Sequence, residues 1–377
     1  MNKLPKIFLL LIVLLVLSIP LLQQGFNFSS RNDSLSGSFD VREDTALTAA
    51  NWFSKMYQDR KDTYLNENFG FRNFLVRLHN QINFSFYGDI NVKDVFKGKE
   101  NYLYNYSFFN SYSGRNYNEH RADSIFKDLM NLNESLISIN KKLLICFAPC
   151  KESFFPEFLP DTCLLEIKKE NYYDAYRKRL LKSNIPFLDY NKYFQNLKNS
   201  SPYPLFTQGA VHWTIYGANI ALDTLLKRIS FETNKKINNV RFKSVDVTDT
   251  ARGADDDISK AMNLLANVNS ERLAYPELEF ISNNDSCHKP KVIIAGDSFF
   301  YGLNNTWIPI SVFSTDSYFL YYYSTAVSFI VGKKDVKVKE LDLPAELKNT
   351  EIVILFFNIG NLNGFPFGAT LITKNVP

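Results

Sequence analysis

The stretch Val292-Ile293-Ile294-Ala295-Gly296-Asp297-Ser298-Phe299-Phe300 indicates how the chain is folded. It opens with a continuous apolar run rich in β-branched residues, which is the pattern of a strand buried on both faces of a sheet. The run stops at Gly-Asp-Ser, where a strand would give way to a turn or to the start of a helix. A serine there lies at the carboxyl end of a buried strand, where open α/β sheets bind their ligands.

Further apolar runs alternate with segments of helical spacing. The predicted strands are 143–148, 185–189 and 352–357, besides the run that opens at Val292. The predicted helices between them include 124–140, 166–182 and 214–229, and Thr214 is the expected cap of the last one. This alternation predicts an α/β fold with a mostly parallel sheet that is covered by helices on both faces.

The composition is that of a globular protein, and it excludes one class of partner. Of 377 residues, 45% are hydrophobic and 22% are charged. A net charge of +4 gives no footprint for nucleic acid, which needs a clustered basic face. The high aromatic content, with 33 Phe and 21 Tyr, suits a carbohydrate-facing surface, but an AT-rich genome biases codons in the same direction.

The amino terminus predicts a membrane segment. Lys3 and Lys6 precede the apolar run 7–22, so we expect a signal anchor over 1–24 with its amino end cytoplasmic. A cleaved signal peptide is the alternative, but no Ala-x-Ala-like site follows. Residues 25–44 have the composition of a linker, and 45–377 form the predicted body, with an insertion at about 231–288. The body is therefore expected outside the cytoplasm, on a single-pass inner-membrane anchor.

Four cysteines are allowed to pair in such a compartment. Cys146 lies in an apolar run and is expected to be a buried free thiol, whereas Cys150 and Cys163 flank a loop that a disulfide would close. No Cys/His spacing is typical of zinc, and four histidines are few for a metal site. We expect neither a metal nor a cofactor.

Two stretches together suggest acyl transfer. That reaction needs a nucleophile, a base that takes its proton, and donors for the oxyanion. Ser298 fits the nucleophile, with its own amide and that of Phe299 as oxyanion donors. His212, in Val211-His212-Trp213-Thr214, fits the base. Each has a plainer alternative, since Gly-Asp-Ser occurs by chance or caps a helix, and a lone histidine is often buried in the core.

Several motifs occur in an order that resembles a known family. They are Phe69-Gly70-Phe71-Arg72, the run 98–104, Pro149-Cys150-Lys151 with 156–160, His212-Trp213-Thr214 with Tyr216-Gly217-Ala218, Asp256-Asp257 with Met262-Asn263-Leu264, and Gly296-Asp297-Ser298-Phe299. Together they resemble the SGNH-superfamily proteins of alginate-type O-acetylation, the AlgJ/AlgX-like or DHHW group, over roughly residues 45–360.

The resemblance implies an SGNH-hydrolase-like fold and an acyl-transfer site. Ser298 would be the nucleophile and His212 the base, moving an acetyl group onto or off a polysaccharide hydroxyl. A membrane-bound O-acyltransferase would relay the acetyl group to the chain. The alternatives are a carbohydrate acetyl esterase and a non-catalytic glycan-binding component of a polysaccharide modification complex.

One residue departs from the family pattern, which reads Asp-x-His-Trp. Ala210 stands where the acid that orients His212 is expected. Either another acid takes its place, with Asp189 at a strand end as the candidate, or a Ser-His dyad acts at a lower rate, or the protein is not catalytic.

The remaining site candidates each have two interpretations. Asp297 and Trp213 flank Ser298 and His212 and are candidates to contact the substrate or the oxyanion, but Asp297 belongs to the nucleophile turn and has a structural role as the simpler alternative. Lys151 follows a strand and would either contact an anionic sugar or be solvated. Asn358 follows the last strand and would either line the pocket or merely end that strand.

Overall fold

The computed structural model describes residues 4–26, 34–37, 44–168, 170–268, 271–281, 287–304, 311–330, 332–364 and 369–376. The chain divides into two compact units, one of residues 1–93 with 259–267 and one of residues 94–258 with 268–377. The predicted linker 25–44 lies largely outside the described residues, so its bounds stay predictions. Disulfides are not formed: all four cysteines, including Cys150 and Cys163, carry free thiols.

The strands alternate with helices along most of the larger unit. The strands are β1 (Val95–Lys97), β2 (Leu103–Asn105), β3 (Lys142–Ala148), β4 (Phe187–Asp189), β5 (Val240–Thr248), β6 (Leu273–Phe280), β7 (Val292–Gly296), β8 (Tyr318–Tyr321), β9 (Thr325–Ser328), β10 (Val336–Lys337) and β11 (Ile352–Asn358). Its helices are α5 (Tyr106–Tyr112), α6 (Glu119–Ser138), α7 (Lys151–Phe154), α8 (Asp161–Leu164), α9 (Tyr172–Leu180), α10 (Tyr190–Leu197), α11 (Ile215–Thr233), α13 (Tyr301–Asn304), α14 (Leu343–Asn349) and α15 (Ala369–Lys374). Helix α12 (Asp257–Ala261) begins in this unit.

A seven-stranded sheet forms the core in the described residues, in the order β10-β9-β8-β7-β11-β3-β4. Strands β8, β7, β11, β3 and β4 are parallel, and β9 and β10 add an antiparallel edge. All seven residues of β11 are buried. Because successive side chains of a strand point to opposite faces, both faces of the sheet are covered, as the apolar runs predicted. The predicted α/β fold is confirmed.

The predicted insertion contains more strand than helix. Strands β5 and β6 pair as an antiparallel ribbon with a bulge between Phe242 and Ser244, and the short α12 lies in the chain between them. The amino-terminal hairpin of β1 and β2 is a separate antiparallel pair.

The smaller unit is helical in its described residues. Its helices are α1 (Leu4–Phe26), α2 (Ala49–Phe53), α3 (Met56–Asn68) and α4 (Arg72–Ile82), followed by a π-helical turn at Asn83–Tyr87. Helix α1 is long and apolar enough to cross a membrane over Pro5–Gln23. Within this unit, Gly70 lies close to α1: a Cβ atom there would lie 2.0 Å from the Pro20 carbonyl oxygen.

Candidate active site

The turn after β7 presents Ser298 at the carboxyl edge of the sheet. A Cβ atom at Gly296 would lie 2.4 Å from the carbonyl oxygen of Phe356 in β11, so only glycine lets the two strands approach this closely. Asp297 then caps the 3₁₀ turn Ser298–Phe300, and its carboxylate accepts the Phe299 amide at 3.1 Å. The hydroxyl-bearing residue is thereby fixed where the parallel strands end.

His212 lies in a loop that folds back on itself before α11. Phe206 and Trp213 form an antiparallel bridge across this loop, and the Thr214 side chain caps α11 as predicted. The Nε2 atom of His212 lies 2.8 Å from Ser298 Oγ. The two side chains are thus within hydrogen-bonding reach, which is the geometry that proton removal from a serine requires.

Asp257 completes this arrangement from the first position of α12. Its Oδ2 lies 2.5 Å from Nδ1 of His212, and its Oδ1 accepts the amides of Val211 and Ile258, each at 2.8 Å. A carboxylate on Nδ1 places the ring proton on that nitrogen and leaves Nε2 free to accept the serine proton. Ser298, His212 and Asp257 therefore form one continuous hydrogen-bonded chain.

A family model accounts for this architecture. The model described as "SGNH hydrolase-like domain, acetyltransferase AlgX" matches residues 95–299, more than half of the chain. The chain belongs to this family. The resemblance drawn from the ordered motifs is thereby confirmed, as is the SGNH-like fold. No curated protein matches the sequence.

Solved structures to which the chain is similar include three bacterial proteins. The O-acetyltransferase domain of Pseudomonas putida AlgJ is 14% identical, with a TM-score of 0.46, covering 74% of this chain and 98% of its own. Pseudomonas aeruginosa AlgX is 16% identical, with a TM-score of 0.47, covering 76% of this chain and 70% of its own. Bacillus cereus PatB1 with a sulfonyl adduct is 11% identical, with a TM-score of 0.47, covering 74% and 98%.

Asp189 does not supply the acid, which corrects the sequence-based candidate. Its strand, β4, lies three places from β7 in the sheet, roughly 14 Å at the usual strand spacing. The Asp189 carboxylate caps α10 through the Lys192 amide at 3.0 Å, and it binds the Tyr173 hydroxyl at 3.0 Å and Arg177 Nε at 2.7 Å. These contacts give it a structural role at the other end of the sheet edge.

The acidic run 255–257, at the start of α12, is hydrogen-bonded to the histidine loop at more than one point. Asp255 accepts the amide of Ile215, the first residue of α11, at 2.9 Å, and its own carbonyl accepts the Thr207 hydroxyl at 2.8 Å. Burial raises the pKa of Asp255 to about 7, against the hydrogen bonds from Ile215 and Tyr275. The run therefore holds the loop and provides the carboxylate on His212.

Asp297 faces inward, and its carboxylate binds the backbone amides of Phe299 and Asn358, which were the predicted oxyanion and pocket residues. Its Oδ2 accepts the Asn358 amide at 2.8 Å and Asn361 Nδ2 at 2.7 Å, while Oδ1 holds the Phe299 amide. That amide is therefore unavailable to an oxyanion. The Asn358 side chain spans from Pro149 to Gly360, so it ties strand ends together instead of lining a pocket. Burial raises the pKa of Asp297, and these hydrogen bonds oppose the shift.

Trp213 and Lys151 are core residues, contrary to the expectation that they contact substrate. The Trp213 ring is 2% exposed and packs against Phe194, Phe299 and Phe356. Lys151 is 1% exposed, because its stem and ammonium lie under the histidine loop. An ammonium at that depth contacts neither solvent nor a polysaccharide, which corrects both interpretations of this lysine.

Two donors remain beside Ser298 for a developing oxyanion. The Ser298 amide has no hydrogen-bond acceptor among the residues that the structure describes. The Tyr322 hydroxyl accepts a hydrogen bond from Asn361 Nδ2 at 3.5 Å and lies near the Ser298 side chain, whose polar influence lowers the pKa of the tyrosine. Burial raises the pKa of Tyr322 to about 12, so its hydroxyl keeps its proton at neutral pH. Both groups can therefore donate toward an oxygen that gains charge beside Ser298.

Tyr322 sits in a backbone conformation that tyrosine seldom adopts. It has φ 45° and is followed by Tyr323 at φ 53°, in the tight turn between β8 and β9. Non-glycine residues in this region are uncommon, and such outliers cluster at functional sites. The tyrosine-rich sequence gave no signal that would single out this residue.

Asp257 could have been found from the sequence. Three aspartates stand together at a predicted helix start, and Ala210 leaves the expected acid position empty.

Proposed function

We propose that this chain is a membrane-anchored, extracytoplasmic O-acetyltransferase that modifies a cell-surface or exported polysaccharide. The observation that carries the proposal is the hydrogen-bonded chain from Ser298 Oγ through His212 to Asp257. Membership of the AlgX-type acetyltransferase family supports acetyl transfer to a polysaccharide as the reaction. The apolar α1, with Lys3 just before it and Lys6 in its first turn, supports the membrane anchor.

The first half-reaction forms an acetyl-enzyme. His212 Nε2 takes the Ser298 proton as Oγ attacks the acetyl carbonyl carbon, and Asp257 stabilises the imidazolium that results. The oxyanion of the tetrahedral intermediate accepts hydrogen bonds from the Ser298 amide and the Tyr322 hydroxyl. The donor's leaving group then departs with the proton from His212, and the acetyl group stays on Ser298.

The second half-reaction runs the same steps with a sugar hydroxyl as nucleophile. His212 takes the hydroxyl proton, the sugar oxygen attacks the acetyl carbon, and Ser298 Oγ leaves and regains a proton from His212. A membrane-bound O-acyltransferase that relays the acetyl group would be the donor partner. In an esterase, water would replace the sugar at this step, so the chemistry up to the acetyl-enzyme would be identical.

An acetyl-transfer assay on the full chain in detergent tests the proposal. With a chromogenic acetyl ester as donor, we expect acetylation of an oligosaccharide acceptor and an acetyl group on the peptide that contains Ser298. Ser298→Ala should abolish both. Acetate release that is unchanged by any acceptor would identify an esterase. Equal inertness of wild type and Ser298→Ala toward every donor and acceptor would refute catalysis and favour a glycan-binding role.

A further inference from the structure

Lys151 makes an unusual set of contacts directly beneath the histidine loop. It is the first residue of α7, just past the end of β3, and it is 1% exposed. Its Nζ donates to the carbonyl oxygen of Gln208 at 2.9 Å, to that of Thr207 at 3.2 Å, and to that of Ala210. An ammonium has three protons and no acceptor site, so these three bonds use its full capacity.

The three carbonyls belong to the segment that leads into His212. Residues 207–210 lie between the bridged residues Phe206 and Trp213, and the carbonyls of Thr207, Gln208 and Ala210 all accept from the one cation. Two of the three acceptors, Gln208 and Ala210, lie four and two positions before His212. A shift of this segment would therefore move the imidazole relative to Ser298.

Burying a lysine is costly, and the surroundings of Lys151 offset only part of that cost. Desolvation disfavours the ammonium, whereas Glu152, Asp257 and Glu271 favour it, and the Tyr104 ring lies 5.5 Å from Nζ. Fully buried lysines are rare unless they are paired. A neutral methionine would fill the same space but would leave three buried carbonyls without donors, and burying an unpaired carbonyl is unfavourable.

We propose that Lys151 is a positioning residue of the acyl-transfer reaction, an internal cation that fixes the carbonyls of residues 207, 208 and 210 and thereby the His212 ring at Ser298. The inference rests on the proposed function, because it assigns Lys151 a part in activating Ser298. It differs from the two roles that the sequence suggested, since Lys151 contacts no substrate.

Replacing the ammonium from solution tests this role. In the full chain, Lys151→Ala leaves a space lined by three carbonyls, which methylammonium fits and the larger, donor-free tetramethylammonium does not. We measure the rate at which a sulfonyl fluoride labels Ser298, together with kcat and KM for a chromogenic acetyl ester. We expect labelling and kcat to fall by about 100-fold with KM nearly unchanged, and methylammonium alone to restore at least part of the loss.

Lys198→Ala is the matched control, because Lys198 also binds a backbone carbonyl, that of Phe154 at 2.6 Å, and pairs with Glu157. It touches no residue of the 207–210 segment, so we expect less than about a twofold change in labelling. In Lys151→Met the side chain fills the space that Lys151→Ala leaves, so methylammonium should not restore activity there. This variant checks that rescue depends on that space.

Each outcome decides the inference. Lys151→Ala that labels at the wild-type rate, or that loses activity without any response to methylammonium, would overturn it. If Lys151 variants no longer melt cooperatively, Lys151 is needed for folding in general, and the inference would be overturned as well. Failure of the wild type to be labelled would instead count against the proposed function, so the two failures are distinguishable.

Discussion

His212 Nδ1 and Asp257 Oδ2 lie 2.5 Å apart although the two residues are 45 positions apart in the chain. The position that the family pattern reserves for this acid is Ala210, whose carbonyl is held by Lys151 instead. The carboxylate thus reaches the same ring nitrogen from another segment. This geometry shows how Asp257 can take over the orienting role that Ala210 cannot perform.

Asp257→Asn should lower kcat by about 10³–10⁴-fold with little change in KM, because an amide favours the wrong imidazole tautomer and does not stabilise the imidazolium. Turnover of an acetyl ester and labelling of Ser298 by a sulfonyl fluoride measure the effect. Asp189→Asn is the control: it weakens the cap of α10 and should cost about 1 kcal/mol of unfolding free energy while kcat stays within a few fold. The reverse pattern would assign the acid to Asp189.

Removing the hydroxyl of Tyr322 should slow acetyl transfer. Tyr322→Phe deletes one of the two donors beside Ser298, and we expect kcat to fall by about 10²-fold, as for other single oxyanion donors. Tyr323→Phe makes the same chemical change at the next position of the turn and should leave kcat unchanged. Comparable loss in both variants would point to the turn as a whole and away from the Tyr322 hydroxyl.

Gly296→Ala should disrupt the nucleophile turn. The added Cβ would meet the Phe356 carbonyl oxygen at 2.4 Å, and backbone cannot move aside as a side chain can. We expect a loss of about 1–3 kcal/mol in unfolding free energy, measured by urea titration, together with lost labelling of Ser298. Gly332→Ala is the control without a steric clash, because no atom lies within 4 Å of its Cβ position. It should therefore retain full labelling. Its φ of 80° disfavours alanine, so some loss of stability is expected there as well.

Asp255 should make stability fall as the pH rises from about 4 to about 7. Its folded pKa of about 7 lies above the usual value near 3.8, so in this window the folded state binds more protons than the unfolded state. The stabilisation is complete below the unfolded pKa and is lost as the pH rises through the folded pKa. Its full size is on the order of 4 kcal/mol. Asp255→Asn should remove this slope and be more stable than wild type at pH 7, and parallel stability curves for the two proteins would contradict the assignment.

The pH dependence of Lys151 should run in opposite directions for activity and stability. Burial lowers its pKa from 10.5 to about 8, against the attraction of Glu152, Asp257 and Glu271. Above pH 8 the amine has fewer protons for the three carbonyls, so kcat should decline. Between pH 8 and 10.5 the unfolded state binds more protons, so this group makes unfolding free energy increase with pH. Chemical denaturation and initial rates across pH 7–10 measure both, and a flat kcat over that range would contradict the first expectation.

The central strands were the most predictable part of the fold. Runs such as Ile352–Asn358 are apolar at every position because both faces of the sheet are covered, and no helix on a protein surface has that pattern. The ribbon of β5 and β6 was missed, since its residues alternate in burial irregularly and are interrupted by a bulge. Short elements in polar insertions depend on tertiary contacts that local sequence does not report.

The site was predictable to the extent that its residues carry a local signal. Ser298 follows a buried strand and His212 precedes a capped helix, so their neighbourhoods pointed to an edge of the sheet. Asp257 and Tyr322 reach that edge through the pairing of distant segments, which no sequence spacing encodes. Lys151 was misjudged because a lysine after a strand is ordinarily solvated, and only the inward turn of three carbonyls explains its burial.

An acid that reaches His212 from an insertion also matters for distinguishing inactive from active members of an enzyme family by sequence. A search that requires aspartate two residues before histidine would classify this chain as a pseudoenzyme on the strength of Ala210. The donor atom has to satisfy a distance to Nδ1, and the chain satisfies it through Asp257. Relatives that lack the motif aspartate should therefore be judged by whether an acidic run accompanies the segment between their histidine and their serine.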